Sequence, residues 1–424
     1  MKLSDHDKRM LDGEEGPAVQ EAMEFLVKFG EGFEADEMVD VHSAHLFADT
    51  HTVGRAAEIY TRMAELGGKV RVPTTTEPIS FDPEYPDDFK LPEDYPERQR
   101  LLMAALRQMD AILAHSNTIY LTQNIPKIGE NLAWIESSAA GWANSVIGAR
   151  ANREGAITCL MAALTGRIPK HGLLDERNRK GQILIEIDPG VIDQLGGRGT
   201  WLADYHALGF AIGSLAYDRI PVITGLPSHL TNEQLKAICS ICSPVYTGAL
   251  LLMVGISPEA PTVEAAFGGT IPKDVETHRV GMQDVKDAYE KIRSSYAKEI
   301  TGVLSGCPFK SINELQEVAE LLDGKQVRDD VWVWITTDPS TRELARNSGI
   351  AQRIEASGAK LYAGTCHFMQ PVAASMGPEH VIATDSMKMP LLLAGPGKPQ
   401  WLYGTLKDCI AAATTGKFIE TRWT

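Results

Sequence analysis

A chain of 424 residues, 44% hydrophobic and 23% charged, can bury a substantial core without covalent staples, and at ~100–200 residues per domain two or three packed domains are expected. A net charge of −15 with no dense basic run excludes nucleic acid and anionic membranes as natural partners. The polar N-terminus lacks a signal-peptide core, the longest apolar run (residues 245–256) is too short to span a bilayer, and six cysteines suit a reducing compartment, so a cytoplasmic location is expected.

Along the chain, the first third reads as mostly helical, with a β segment at residues 69–72 running into Thr74, Thr75 and Thr76. Residues 77–96, rich in Pro and acid, read as a long surface excursion. A helix is predicted over 97–114 and another over 134–165, broken by Gly141 and Gly148. From there strands alternate with helices. Residues 182–187, 221–224 and 249–254 read as buried strands, and Thr231 with Gln234 forms a capping box. In the last third, strands are predicted at 302–305, 331–336, 360–363 and 381–383. Capping boxes at Ser311/Glu314 and Ser340/Glu343 open helices to Leu322 and to about Ala356. This alternation argues for right-handed crossovers and parallel sheets.

Ligands of open parallel sheets collect at the carboxyl ends of the strands. The four tips in the last third carry Cys307, Asp338, Cys366 with His367, and Asp385 with Ser386, so two cysteines converge on one edge. Thiolates there suit a metal or an iron–sulfur centre; the plain alternative is two half-buried thiols. Cys239 and Cys242 form a C-x-x-C inside an apolar helix with no second pair, which favours packing. Cys159 and Cys409 read as packing on apolar helices. The densest polar constellation is Glu136, Ser137, Ser138, Asn144, Ser145, Arg150, Asn152 and Arg153, where an arginine fork could grip a carboxylate. Ser43, His45, Thr75, Ser386 and Lys388 are further polar candidates, each equally readable as ordinary structure.

Together these residues resemble the aconitase X family. The likeness runs from Met10–Glu14 nearly to the C-terminus. It includes Ser43-Ala-His45, Val72-Pro-Thr-Thr75, Ala133-Trp-Ile-Glu-Ser137, Ala143-Asn-Ser145, Gly148-Ala-Arg150, Gly306-Cys-Pro308, Thr365-Cys366 and Ser386-Met-Lys388. The resemblance implies an aconitase-like α/β architecture: three domains with parallel sheets around a central cleft, here divided at about 1–180, 181–290 and 291–424. It implies a hydro-lyase that dehydrates a small hydroxy acid, with cis-3-hydroxy-L-proline the leading substrate and phosphomevalonate the alternative. The family's fourth, swivelling domain is fused in some members and a separate small subunit in others. With the chain ending at Thr424, the expectation is that this domain is absent and a small partner subunit is needed.

The resemblance also implies a metal centre held by Cys307 and Cys366, and one departure bears on it. Asn117 stands where the family usually has a cysteine, and its hard oxygen suits a different partner from soft iron–sulfur chemistry. The implied cofactor is therefore an iron–sulfur cluster, 2Fe–2S among the options, or a mononuclear iron. Arg150 and Arg153 are expected to clamp a small-molecule carboxylate. Ser43, His45, Thr75, Asn144, Ser145, Ser386 and Lys388 would shape the cleft, and the base would be Glu136, Lys388 or a group of the partner subunit. A reading from another class is an assembly subunit that lost catalysis at Asn117.

Overall fold

The computed structural model describes residues 1–195, 202–369 and 376–423. Three parallel sheets organise it. In the first, the order is Thr74–Thr76, Ser43–Leu46, Asn131–Trp134, Arg150–Ala151. The second runs Thr277–Val280, Ile183–Ile187, Pro221–Thr224, Leu252–Met253. The third runs Lys360–Ala363, Trp332–Thr337, Gly302–Lys310, Val381–Thr384, Gln400–Tyr403. The α/β parallel architecture expected from the sequence is the one observed.

The helices start where their caps dictate. Thr231 with Gln234, Ser311 with Glu314 and Thr405 with Asp408 form reciprocal capping boxes opening Asn232–Val245, Ile312–Leu322 and Leu406–Thr415. A core of buried residues runs through all three units: Trp134 and Trp142 from the first, Ile185, Ile223 and Ile238 from the second, Met387 and Tyr403 from the third. Burying each aliphatic side chain of this kind contributes about 1.5–3 kcal/mol, so the units are packed as one body and not strung on linkers. Among the described residues no helix is long and apolar enough to cross a membrane.

Several expectations are corrected here. Residues 69–72 make no ladder: Val70 and Arg71 each donate one backbone bond to helix ends, at Met109 and Ala163, and the strand begins at Thr74. The predicted helix over 134–165 is strand, helix Ser137–Trp142, a π turn Ala143–Ile147, strand Arg150–Ala151 and helix Ala156–Thr165. Gly148 at φ +77° ends the turn, and Asn144 pulls the next strand in by bonding both the N–H and the carbonyl of Ala151. The helix expected from Ser340 is capped by Asp338 instead, whose carboxylate accepts from Ser340 and Thr341. Gly349 at φ +79° then splits it into Pro339–Asn347 and Ile350–Ala356.

The largest correction concerns residues 77–96. Glu77, Ser80 and Asp82 are buried. Asp82 accepts the Ala363 N–H at 2.8 Å and pairs with Arg342, and Asp88 accepts from Tyr362 and Lys360 at 2.7 and 2.6 Å. The segment is a strap joining the first sheet to the third.

Candidate active site

The strap brings two sheet edges face to face. Ile79 donates to the carbonyl of Gly364 at 2.9 Å, and Cys366 donates its N–H to the carbonyl of Ile79 at 3.4 Å. The carboxyl end of the first sheet thus meets the carboxyl end of the third, the place where parallel sheets collect ligands. Cys366 arrives there from a third-sheet tip; Cys307 lies inside the strand Gly302–Lys310, which runs past the end predicted at residue 305, where the register against Trp332–Thr337 shifts between Ser305 and Lys310. They are 7% and 4% exposed. Gly306 precedes Cys307 at φ +116°, and a Cβ at that position would lie 2.4 Å from the carbonyl oxygen of Thr336, so glycine is required for this approach.

The two thiols share a hydrogen bond. It holds the Cys307 thiol below its ordinary range, against burial that works the other way and with help from Lys388, while Cys366, the donor, is pushed well up. Ser386 Oγ donates to the carbonyl of Cys307 and so fixes the peptide that carries it. Across the seam, Lys388 Nζ donates to Glu136 Oε1 at 3.2 Å and to Ser138 Oγ at 2.9 Å. Their side chains are 14% and 16% exposed, so this pair borders open space where the thiols do not. Burial works against the ammonium of Lys388, but Glu136 and the two thiols outweigh it and raise its pKa. Burial would likewise raise Glu136, but Lys388 and Ser138 hold it below the usual carboxylate range. Glu136 is ionised and Lys388 charged at neutral pH.

The structure gathers Cys307, Cys366, Glu136, Lys388 and Ser386, with Asn117 beside them: its Oδ1 accepts the backbone N–H of Phe309 at 3.1 Å. The other candidates have their polar atoms spent on the fold. Ser43 Oγ accepts from Trp134 Nε1 at 3.1 Å. His45 has both ring nitrogens bonded, to Thr75 Oγ1 at 2.9 Å and Glu77 Oε1 at 2.8 Å, so neither His45 nor Thr75 offers a bare group to a substrate. Asn144 Nδ2 donates to the carbonyls of Ala140, Ala151 and Ala249, and its Oδ1 accepts from Ala151 and Arg179. Ser145 Oγ accepts from the Leu251 N–H at 2.8 Å.

The two arginines also lie apart from the thiols. Arg150 pairs with Asn131, at the opposite end of the strand that leads to Glu136, and faces Glu176 at 3.6 Å. Arg153 donates to the carbonyl of Tyr246 at 3.4 Å and lines a separate cleft of about 500 Å³ with Phe29, Phe33 and His171. The C-x-x-C at Cys239 and Cys242 is buried in a helix, and Cys242 donates to the Gly209 carbonyl at 2.9 Å, a packing role.

Two groups at the site escaped the sequence reading, which had placed only Asp385 at a strand tip and Glu314 in a capping box. Glu77, 1% exposed, faces Glu136, Lys388 and Cys307; burial first and Glu136 second push its carboxyl well above the usual range. Its signal was its position, the first residue after a strand of three threonines. The second group is a dry network beside Cys307. Lys310 Nζ bonds Asp385 at 2.6 Å, Ser305 Oγ donates to the same carboxylate at 2.7 Å, and Lys236 reaches Glu314 and the carbonyl of Phe309.

A dithiol and a lysine–carboxylate pair gather at the seam of two parallel sheets, in an α/β fold of the aconitase-like class. The chain belongs to the aconitase X family of hydro-lyases. Models of the aconitase X first, second and third domains match residues 1–176, 181–290 and 300–415. It is 28% identical over 97% of its length to a phosphomevalonate dehydratase large subunit of Methanocaldococcus jannaschii, spanning 99% of that protein. It is 30% identical over 98% of its length to another from Methanosarcina mazei, spanning 98% of it. It is also 30% identical over 98% of its length to a cis-3-hydroxy-L-proline dehydratase of Pseudomonas aeruginosa, spanning 70% of that protein. Its fold matches the crystal structure of Thermococcus kodakaraensis aconitase X in the holo-form, with a TM-score of 0.83 and 29% identity, covering 97% of this chain and all of that one.

Proposed function

We propose that this chain is the large subunit of a cytoplasmic dehydratase that removes water from a small hydroxy acid, cis-3-hydroxy-L-proline before others. The observation that carries the reading is the Cys307–Cys366 dithiol set against the Glu136–Lys388 pair. Among the described residues Lys388 is the cation that borders the seam, and Glu136 balances it, so the site is close to neutral. A zwitterionic amino acid suits that balance better than a substrate carrying phosphate as well as carboxylate. Phosphomevalonate is the second reading, favoured by the names of several relatives; those names also support a small partner subunit.

The donor set fits one soft metal ion better than a cluster. Two thiols are in mutual contact, the oxygen of Asn117 already accepts from Phe309, and no group of three or more His, Cys, Asp or Glu suited to a metal occurs among the described residues. Cys307 and Cys366 would hold the metal, which when bound supplies a Lewis acid for the hydroxyl or carboxylate oxygen. The chain's own residues do the rest. Lys388 stays charged and binds the substrate carboxylate. Glu136, ionised and held by the Ser138 N–H at 3.0 Å, is the base for the proton on carbon. Ser386 keeps the Cys307 peptide in place.

The test is anaerobic purification of the chain with its co-purifying partner, then metal and acid-labile sulfide analysis and assays on both hydroxy acids. Metal that is lost in Cys307→Ser, with water loss from cis-3-hydroxy-L-proline, supports the reading. Turnover of phosphomevalonate alone moves the assignment to the second substrate. No metal and no turnover of either points to a non-catalytic assembly subunit.

A further inference from the structure

The strand Gly302–Lys310 is regular at its start and irregular where it carries Cys307. Ser305 stands opposite Ile335 and Lys310 opposite Thr337, so residues 306–309 face Thr336 alone. Two steps of a strand advance about 7 Å and five steps about 17 Å, so the surplus chain between these two pairs is thrown into a bulge. Bulges beside active sites re-aim a side chain. The side chain in this one is a thiol.

Surplus chain has many shapes open to it, and ordering it into one costs entropy that specific bonds must offset. Asp385 supplies two of them from the neighbouring strand. It follows Val381–Thr384, whose ladder with this strand ends at Leu304. Its Oδ1 accepts from Ser305 Oγ at 2.7 Å and its Oδ2 from Lys310 Nζ at 2.6 Å, so one carboxylate holds both ends of the bulge. The next residue, Ser386, donates to the carbonyl of Cys307 in the middle. Asp385, Ser305 and Lys310 are 4%, 1% and 6% exposed, so water hardly competes for these bonds. Other side chains meet the bulge one peptide at a time: Thr336 Oγ1 donates to the carbonyl of Gly306 at 2.8 Å, and Asn117 accepts from Phe309. Asp385 is charged and spans it.

We propose that Asp385 is the positioning residue of the dithiol: it clasps the bulge at both ends and so holds Cys307 where a soft metal can meet it together with Cys366. What the clasp serves rests on the metal-dependent reading given under the proposed function; the clasp itself does not. Groups that orient a metal ligand from outside change metal affinity by about 10–100-fold when they are removed. Two substitutions cut the clasp without stranding a charge. Ser305→Ala deletes one arm and no charged group. Asp385→Asn leaves one acceptor oxygen for two donors, while Lys310 keeps Glu314 at 3.6 Å as a second carboxylate.

The test uses the chain with its co-purifying partner, freed of metal anaerobically and titrated with cobalt(II). Wild type should show a thiolate-to-cobalt absorption band that Cys307→Ser lacks, and S305A and D385N should bind cobalt about 10–100-fold more weakly. Ser357→Ala is the control. It cuts a buried hydroxyl bond of 2.7 Å to the carbonyl of Ile354, ahead of strand Lys360–Ala363 and so at the amino end of the third sheet. It should lose stability and keep wild-type cobalt affinity. A folded S305A or D385N that binds cobalt as wild type does overturns the proposal, and so does an equal weakening in S357A. Should wild type show no such band, the metal reading fails, and the alkylation rate of Cys307 in the same protein, located by mass spectrometry, decides the clasp. That rate should rise about 10-fold or more in S305A over wild type and S357A, because a bond to a charged group no longer holds the bulge shut. An unchanged rate overturns the clasp as well.

Discussion

Asn117 Oδ1 accepts the backbone N–H of Phe309 over 3.1 Å, so a first-domain side chain holds the third-domain strand that carries Cys307. Phe309 is fully buried, and its carbonyl is held in turn by Lys236 of the second domain at 2.8 Å. One residue therefore ties all three domains beside the thiol. Asn117→Ala leaves a buried N–H unpaired and should cost about 1–3 kcal/mol in urea unfolding. Asn117→Asp, which keeps an acceptor oxygen, should recover part of that. Equal stability of the alanine variant and the wild type would show that the bond does not hold the strand.

Lys388 is the substrate's cationic anchor in the proposed reaction, and its loss has a second effect through Glu136. Lys388→Met removes a charge-assisted bond to the carboxylate, for which about 1.5–3 kcal/mol, or roughly a 10–150-fold rise in KM, is expected. It also removes a group that holds the Glu136 carboxyl low against burial. Glu136 must be ionised to act as base, so the acidic limb of the kcat profile should move to higher pH in K388M. An unmoved limb would remove Glu136 from the role of base.

The sheet edge with Cys307 and Cys366 was legible because short apolar runs, capping boxes and parallel crossovers are local signals, and the edge is a place the topology defines; that the first strand continues past Cys307 to Lys310 was not legible, because its register shift has no local signature. Ser386 was picked out as part of a strand tip, Lys388 as a cation two residues beyond it, and Glu136 as a polar group interrupting an apolar stretch. Asn144 and Ser145 gave the same signal for another reason: a helix turning sharply into a strand needs side chains to satisfy its backbone. Arg150 could not be placed because its strand register against Asn131, which puts it at the far end, has no local signature. Glu77 was hidden by composition. The prolines and acids that follow it mimic a surface loop, and the partners that bury that following segment, Arg342, Tyr362 and Gly364, lie more than two hundred residues away in the chain.

Acid sensitivity follows from two buried histidines, His115 and His206. Burial pushes His115 and His206 down to about 4 from an ordinary value of 6.5. The unfolded chain therefore takes up a proton at each site before the folded one does. Stability is fully present above about pH 6.5 and is lost as pH falls towards 4, by roughly 3 kcal/mol for each histidine. Glu77 works in the opposite sense, since its folded carboxyl is raised. His206→Gln keeps a donor for the carbonyl of Asp385, which His206 Nδ1 meets at 3.1 Å, but cannot take a proton. The slope of stability against pH between about 6.5 and 4 should be shallower in H206Q; an unchanged slope would mean that His206 titrates alike in both states.

The dry network beside Cys307 should behave as a unit. Lys236 and Lys310 flank Glu314, and although burial opposes its charge, the two ammonium groups hold it down to about 2. Its contribution is present above the ordinary carboxylate pKa of 4.5 and fades as pH falls towards 2. Lys236→Ala deletes one cation and the donor to Phe309, leaving Glu314 underpaired in a dry site, and should cost about 3–5 kcal/mol. Replacing both partners removes the buried charge as well as its mate. Lys236→Met with Glu314→Leu should therefore recover much of the loss in urea unfolding, because desolvating an ion pair costs nearly what the pair returns. The residual deficit measures what is lost at the Phe309 carbonyl, at the Ser311 cap and at Lys310, which Glu314 also meets. A double variant no more stable than K236A would mean that relieving the unpaired charge returns nothing beyond those losses.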